Sequence, residues 1–241
     1  DTLMGYVTEA YPIVVYCRQL ENKQRRITNI SECEILPDGS RRLHKLYEYN
    51  ITENRLEGDR FIIEGHHQKC EELSESLQFD LTAGPYSVVT FHPVTLEDNT
   101  AERQLHELIA AMDAIPAMSY IVTLANADAG GRAINAIWQA EGASRKNWLV
   151  VPSLGMRRYL SALKGAEMAL GNSSSGIVEA PAMHIPTVNI GDRQKGRMRA
   201  ESVIDCPPER EAIMAAMKKA MTPEFKDIAA NTVSPFGDGH T

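Results

Sequence analysis

Residues 170 to 199 hold the densest set of side chains in this chain that could do chemistry. Residues 170–181, Leu-Gly-Asn-Ser-Ser-Ser-Gly-Ile-Val-Glu-Ala-Pro, read as the end of a buried strand, a turn of small residues and a helix beginning near Ser175. Asn172, Ser173, Ser174, Ser175 and Gly176 carry no bulky side chain, so ligand atoms can come close to the backbone. Unpaired amides at a helix N-terminus, together with serine hydroxyls, form a donor-rich site for phosphate. Glu179 lies one turn inside that helix and is out of place beside an anion. It fits an uncharged, hydroxylated partner such as a ribose, whose two hydroxyls a carboxylate can accept. Pro186 and the apolar run Thr187 to Ile190 predict a second strand, ending in a loop with Arg193, Lys195, Arg197 and Arg199. Arg193 would complement the developing charge of a departing diphosphate. The plainer account of the same letters is a serine-rich turn followed by a solvated basic loop.

Placing these residues is the task of the elements around them. From Tyr86 onward, strands alternate with helices. Strands are expected over 87–91, 120–124, 148–151, 166–170 and 187–190, and helices over 101–112, 132–140 and 156–163. A helix starts at the serine turn, and a last one spans 209–221. Glu97 and Asp98 sit near the positive end of the helix at 101–112. Such alternation implies a parallel sheet covered on both faces. Ligands of such sheets bind beyond the carboxyl ends of the strands. The polar or glycine-rich stretches fall at those ends: His92-Pro93, Asn126 to Gly131, Pro152 to Leu154, Gly171 to Gly176 and Gly191 to Arg193. His92 would point into the same crevice as the serines and can donate to a phosphate oxygen. Asp128, ahead of Gly130 and Gly131, fits either a cap for the next helix or a substrate contact. Asn126 belongs to the same loop.

Composition removes several classes of function. The chain has 241 residues, 43% hydrophobic and 24% charged, the profile of an ordinary globular protein. A net charge of -7 argues against nucleic acid as a partner, since such domains carry a basic face. No apolar run approaches the ~20 residues of a membrane span, and no N-terminal signal is present. Cys17, Cys33, Cys70 and Cys206 are scattered, without metal-ligand spacing, and read as free thiols of a cytoplasmic protein. Neither a metal nor a cofactor is expected.

Residues 1 to about 66 read as consecutive short strands, an antiparallel meander. Strands are expected at 11–18, 25–35, 43–49 and 61–64, with turns at 37–40 and 54–59. Residues 67–82 form a joint, and the domain division is set at 78/79. Arg18-Gln19-Leu20, the run Gln24 to Glu32 and Leu46-Tyr47-Glu48-Tyr49 resemble, in order, the C-terminal end of secretion and pilus-assembly ATPases. No GxxxxGK[ST] motif occurs, so the segment is not expected to hydrolyse ATP.

Across 79–241 a second resemblance carries five ordered motifs. They are His92-Pro93-Val94-Thr95, Asn126-Ala127-Asp128-Ala129-Gly130, Gly171 through Pro181, Asn189 through Arg197, and Phe236-Gly237-Asp238-Gly239. These resemble the C-terminal half of the hydrolysing UDP-N-acetylglucosamine 2-epimerases, the enzymes that open sialic acid synthesis. The resemblance implies the Rossmann-like, UDP-binding lobe of a two-lobed GT-B fold, α/β in class, here preceded by the small β meander. It also implies elimination of UDP to a glycal, then addition of water to give N-acetylmannosamine. By motif position, His92, Ser173, Ser174, Glu179 and Arg193 match the UDP-contacting residues, with His92 as the catalytic candidate, Glu179 on the ribose and the serines and Arg193 on the diphosphate. The partner is then a UDP-sugar; a homo-oligomer stays open. Because the family's other lobe is not among these residues, little epimerase activity is expected of the chain alone. A glycosyltransferase-like lobe and a non-catalytic adaptor derived from the ATPase segment are the competing readings.

Overall fold

The computed structural model describes residues 13–19, 25–35, 41–50, 55–58, 68–93, 100–125 and 130–236. The chain divides into two compact units, Asp1–His67 and Gln68–Thr241. In the first unit, strands β1 (Ile13–Gln19), β2 (Arg25–Ile35), β3 (Arg41–Asn50) and β4 (Arg55–Gly58) lie in sequence order, each antiparallel to the next. This is the expected meander, with one correction. β4 occupies 55–58, where a turn was read. Its backbone pairs with Tyr47 to Asn50, and an edge strand of that length can form through backbone bonds with few apolar side chains. The expected strand at 61–64 and turn at 37–40 lie outside the described residues.

The second unit is built on a parallel sheet of β5 (Tyr86–Thr90), β6 (Ser119–Thr123), β7 (Trp148–Val151), β8 (Met168–Gly171), β9 (Thr187–Ile190) and β10 (Val203–Cys206). The spatial order is β10-β9-β8-β5-β6-β7. The helices are α1 (Cys70–Leu77), α2 (Ala101–Asp113), α3 (Gly131–Ala143), α4 (Gly155–Gly165), α5 (Ser175–Ala182), α6 (Arg210–Ala220) and α7 (Pro223–Asn231). Alternation along the strands sends side chains to opposite faces. On one face Val89, Tyr120, Val122, Met168, Leu170 and Val188 meet Leu105, Leu108, Trp138, Met217 and Phe225 of α2, α3, α6 and α7. On the other, Val88, Ile121 and Ala169 meet Leu73, Leu163 and Ala180 of α1, α4 and α5. Each fully buried aliphatic chain of this kind contributes about 1.5–3 kcal/mol.

Two elements escape the sequence pattern. β10 is short and follows a basic loop, so it shows no apolar run long enough to announce a strand. Its backbone nonetheless extends the sheet beside β9, from Val203↔Thr187 to Cys206↔Ile190. α7 begins at Pro223, with the Thr222 hydroxyl accepting from the Phe225 amide. That cap followed by proline at the first helical position is a start signal, and the expected last helix at 209–221 is therefore not the last. The break between units falls after His67, ahead of 78/79, because α1 buries Leu73 among α4 and the sheet.

Candidate functional site

Strand order reverses between β5 and β8. From β5 the chain runs outward through β6 and β7, and from β8 outward through β9 and β10. At such a switch point, the two connections leave in opposite directions and open a crevice at the carboxyl ends. The last rung of the ladder pairs Thr90 with Gly171, and the Asn172 amide donates to the Thr90 carbonyl at 3.1 Å. Beyond that rung the strands would part. Asn172 holds them: its Oδ1 accepts from the His92 amide at 2.7 Å, and its Nδ2 donates to the His92 carbonyl at 2.8 Å. The Asn172 backbone carbonyl then takes two more donors, Arg193 Nη1 at 3.1 Å and Gln194 Nε2 at 2.8 Å. One buried residue therefore ties together the segments after β5, β8 and β9. Asn172→Ala removes both side-chain bonds to the His92 backbone, so a loss of about 2 kcal/mol is expected. A chemical denaturation curve measures it.

Gly171 makes the turn itself feasible. Its φ is +130°, and a Cβ there would lie 2.1 Å from the Thr90 carbonyl oxygen. The chain then passes Ser173, whose Oγ accepts from the Ser175 amide at 3.3 Å, and enters α5. Ser174 is the N-cap residue, yet its exposed side chain makes no capping bond. Its hydroxyl is not committed to the helix. Glu179, on the second turn of α5, has a buried Oε2 with no hydrogen-bond partner among the described residues. A carboxylate oxygen removed from water without a donor costs free energy, which marks the position as one suited to a ligand donor.

In the loop after β9, the cations have different settings. Arg199 is paired with Asp205 at 3.1 Å. Lys195 meets Asp192 at 3.3 Å where both are largely exposed, a pairing worth little. Arg193 lies at the serine turn through its bond to Asn172. A depression of about 630 Å³ opens beside this loop, bounded by Gly191, Asp192, Arg197, Asp205 and Pro208. It does not include Ser173, Ser174 or Glu179.

The structure thus brings His92, Ser173, Ser174, Glu179 and Arg193 to one end of one sheet. Asn126 and Asp128 lie outside the described residues, as do Val94, Thr95, Glu97, Asp98 and the segment 237–241; α3 starts with Gly130 as its N-cap. Sequence reasoning treated Asn172 only as a small turn residue and passed over Gln194 and Tyr159. The one signal for Asn172 was an amide side chain directly after a strand-ending glycine. Among the described residues, no group of three His, Cys, Asp or Glu side chains is placed to hold a metal ion, and no helix is long and apolar enough to cross a membrane.

Sheet order, two-sided helix packing and a donor-rich crevice at the switch point define a Rossmann-like α/β lobe of the GT-B class. A family model described as UDP-N-acetylglucosamine 2-epimerase matches residues 21–241, and the chain belongs to that family. It is 39% identical over 158 residues to the GDP/UDP-N,N'-diacetylbacillosamine 2-epimerase (hydrolyzing) of Campylobacter jejuni, covering 65% of this chain and 40% of that protein. It is 34% identical over 152 residues to the polysialic acid biosynthesis protein P7 of Escherichia coli, covering 63% and 39%. The UDP-GlcNAc 2-epimerase of Neisseria meningitidis, solved bound to UDP-GlcNAc, is similar with a TM-score of 0.56 at 16% identity, over 70% of this chain and 44% of that one. The chain spans about 40% of the length of the curated relatives it matches. The likeness of residues 1–78 to secretion ATPases finds no support, and the family match runs through that segment from residue 21.

Proposed function

We propose that the second unit, Gln68–Thr241, forms the UDP-binding lobe of a hydrolysing UDP-sugar 2-epimerase acting on UDP-N-acetylglucosamine or a close relative of it. The observation that carries this reading is Glu179. Its buried carboxylate oxygen, without a partner among the described residues, sits on the helix that Ser174 caps, and Arg193 bonds the Asn172 carbonyl in the turn just before it, so a ribose and a diphosphate fit side by side. Glu179 accepts from the ribose hydroxyls. Ser173, Ser174 and the first amides of α5 donate to the diphosphate, Arg193 offsets its charge, and His92 donates to a phosphate oxygen. Asn126 and Asp128 are assigned a supporting substrate contact.

In the reaction, the proton on C2 is abstracted as the C1–O bond breaks, and UDP leaves with the electron pair. Water then adds across the resulting double bond, hydroxyl to C1 and proton to C2 on the opposite face, giving the 2-epimeric free sugar. The groups proposed on this lobe act on the leaving group, and catalysis also needs groups around C1 and C2. The relative from Campylobacter jejuni is named for a diacetylated sugar and that from Neisseria meningitidis for N-acetylglucosamine. The residues assigned to this lobe hold the nucleotide end, so the choice between those sugars lies with other contacts. Unpaired thiols at Cys17, Cys70 and Cys206 suit a cytoplasmic setting.

Calorimetric titration of the 241-residue chain with UDP tests the reading. Saturable binding at millimolar UDP or below is expected, with the Ser174 and Gly176 amide resonances shifting along the same curve. Absence of both would overturn it. Incubation with UDP-N-acetylglucosamine is expected to release little N-acetylmannosamine. Ordinary turnover by this chain alone would overturn the division of labour proposed here.

A further inference from the structure

Four hydroxyls run in line beneath the serine turn, and the nucleotide reading above does not use them. Thr90 and Thr123, neighbours across β5 and β6, share a short hydroxyl–hydroxyl hydrogen bond. Thr90 also lines the same crevice as the Tyr159 phenol. Tyr159 reaches over from α4 and donates to Ser175 Oγ, the first residue of α5, at 2.6 Å. Tyr159, Thr90, Gly171, Ser173 and Gly176 enclose a crevice of only about 10 Å³. That is room for about one water molecule at most.

A hydroxyl has one proton to give, and that makes the line directional. Tyr159 gives its proton to Ser175, so towards Thr90 its oxygen can only accept. Behind it, Thr90 and Thr123 share a bond in which either can donate, and Thr123 also lies 3.4 Å from the Val89 carbonyl. Ser175 has already accepted inside the protein, which leaves its own proton to be given at the start of α5. We infer that Tyr159 is a positioning residue for the diphosphate: through its hydrogen bond it fixes Ser175 so that the serine hydroxyl presents a preset donor to a phosphate oxygen. The inference rests on the UDP reading of the site. Burial, with the Glu179 carboxylate nearby, pushes the Tyr159 phenol above its ordinary range. The phenol therefore remains a donor throughout the neutral pH range.

A double-mutant cycle on UDP affinity tests the link. Tyr159→Phe keeps the ring and removes the hydroxyl. It is expected to weaken UDP binding about five- to tenfold, the size of one oriented hydrogen bond. Ser175→Ala should weaken binding at least as much, and adding Tyr159→Phe to it should cause no further loss. Thr90→Val, one link upstream, repeats the cycle with a smaller loss that is likewise silent beside Ser175→Ala, and it serves if Tyr159→Phe does not fold. Thermal melts identify the folded variants. A tyrosine that is merely structural would weaken binding by the same factor with or without Ser175, and that result overturns the inference. Unchanged affinity of Tyr159→Phe, with wild type binding UDP, overturns it too and leaves the UDP reading standing. No UDP binding by wild type removes both.

Discussion

Replacing Glu179 with glutamine is expected to weaken UDP binding roughly 10- to 100-fold, the worth of charge-assisted hydrogen bonds to two ribose hydroxyls. The same substitution should leave the melting temperature unchanged or slightly raised. Among the described residues the buried Oε2 has no donor, so that oxygen contributes no bond whose loss would be felt. A neutral amide of the same length also carries a smaller desolvation cost. Opposite responses of affinity and stability are the signature of a group placed for a ligand rather than for the fold. The 2′-deoxy nucleotide sharpens the measurement. Wild type should bind it more weakly than UDP, whereas the glutamine variant should distinguish the two much less. A variant that titrates UDP as tightly as wild type would remove Glu179 from the site.

Gly171→Ala is expected to carry the largest cost in stability. Two independent effects coincide there. A φ of +130° is one that side-chain-bearing residues rarely adopt, and the added Cβ would lie 2.1 Å from the Thr90 carbonyl oxygen. The obstacle is backbone within the central strand pair, so no rotamer change relieves it. A loss of about 3 kcal/mol, the upper end for single substitutions, is expected. For a unit of this size that lowers the melting temperature by roughly 6–12 °C. Gly196→Ala is a matched control, since φ there is also positive, +85°, and nothing lies within 4 Å of the added carbon. Equal melting temperatures for the Gly171 variant and wild type would contradict the close approach at the switch point.

Much of the second unit was legible in the sequence because its strands are apolar and its helices amphipathic, and the two patterns alternate without long interruptions. Ala101–Asp113 and Trp148–Val151 show the pattern at its clearest. Where the pattern weakened, the reading failed. Val203–Cys206 is a strand by virtue of its neighbour rather than its composition, and Arg55–Gly58 lies under residues that signal a turn. The candidate site was legible to the extent that it depends on residue type. Small residues, a glutamate one turn inside a helix, and an arginine after a strand can all be read from letters. The Asn172 clamp could not be, because its partner is the backbone of a residue eighty positions away. Tyr159 was hidden for a different reason: an aromatic residue on an amphipathic helix reads as packing, and its hydroxyl has meaning only beside Thr90 and Ser175.

The strand order has a kinetic consequence. The central pair, β5 with β8, joins segments far apart in the chain, whereas β5–β6 and β8–β9 join near neighbours. Closing the long loop costs chain entropy before the central rungs return any stabilisation, and non-local pairings of this kind slow folding. The crevice cannot precede that step, since its two sides are contributed by the two halves that meet there. A nucleotide recognising the crevice would therefore meet only chains that have already paired their centre. Such a ligand would draw the population toward the finished protein by mass action, and its supply would then set how much of the fold survives.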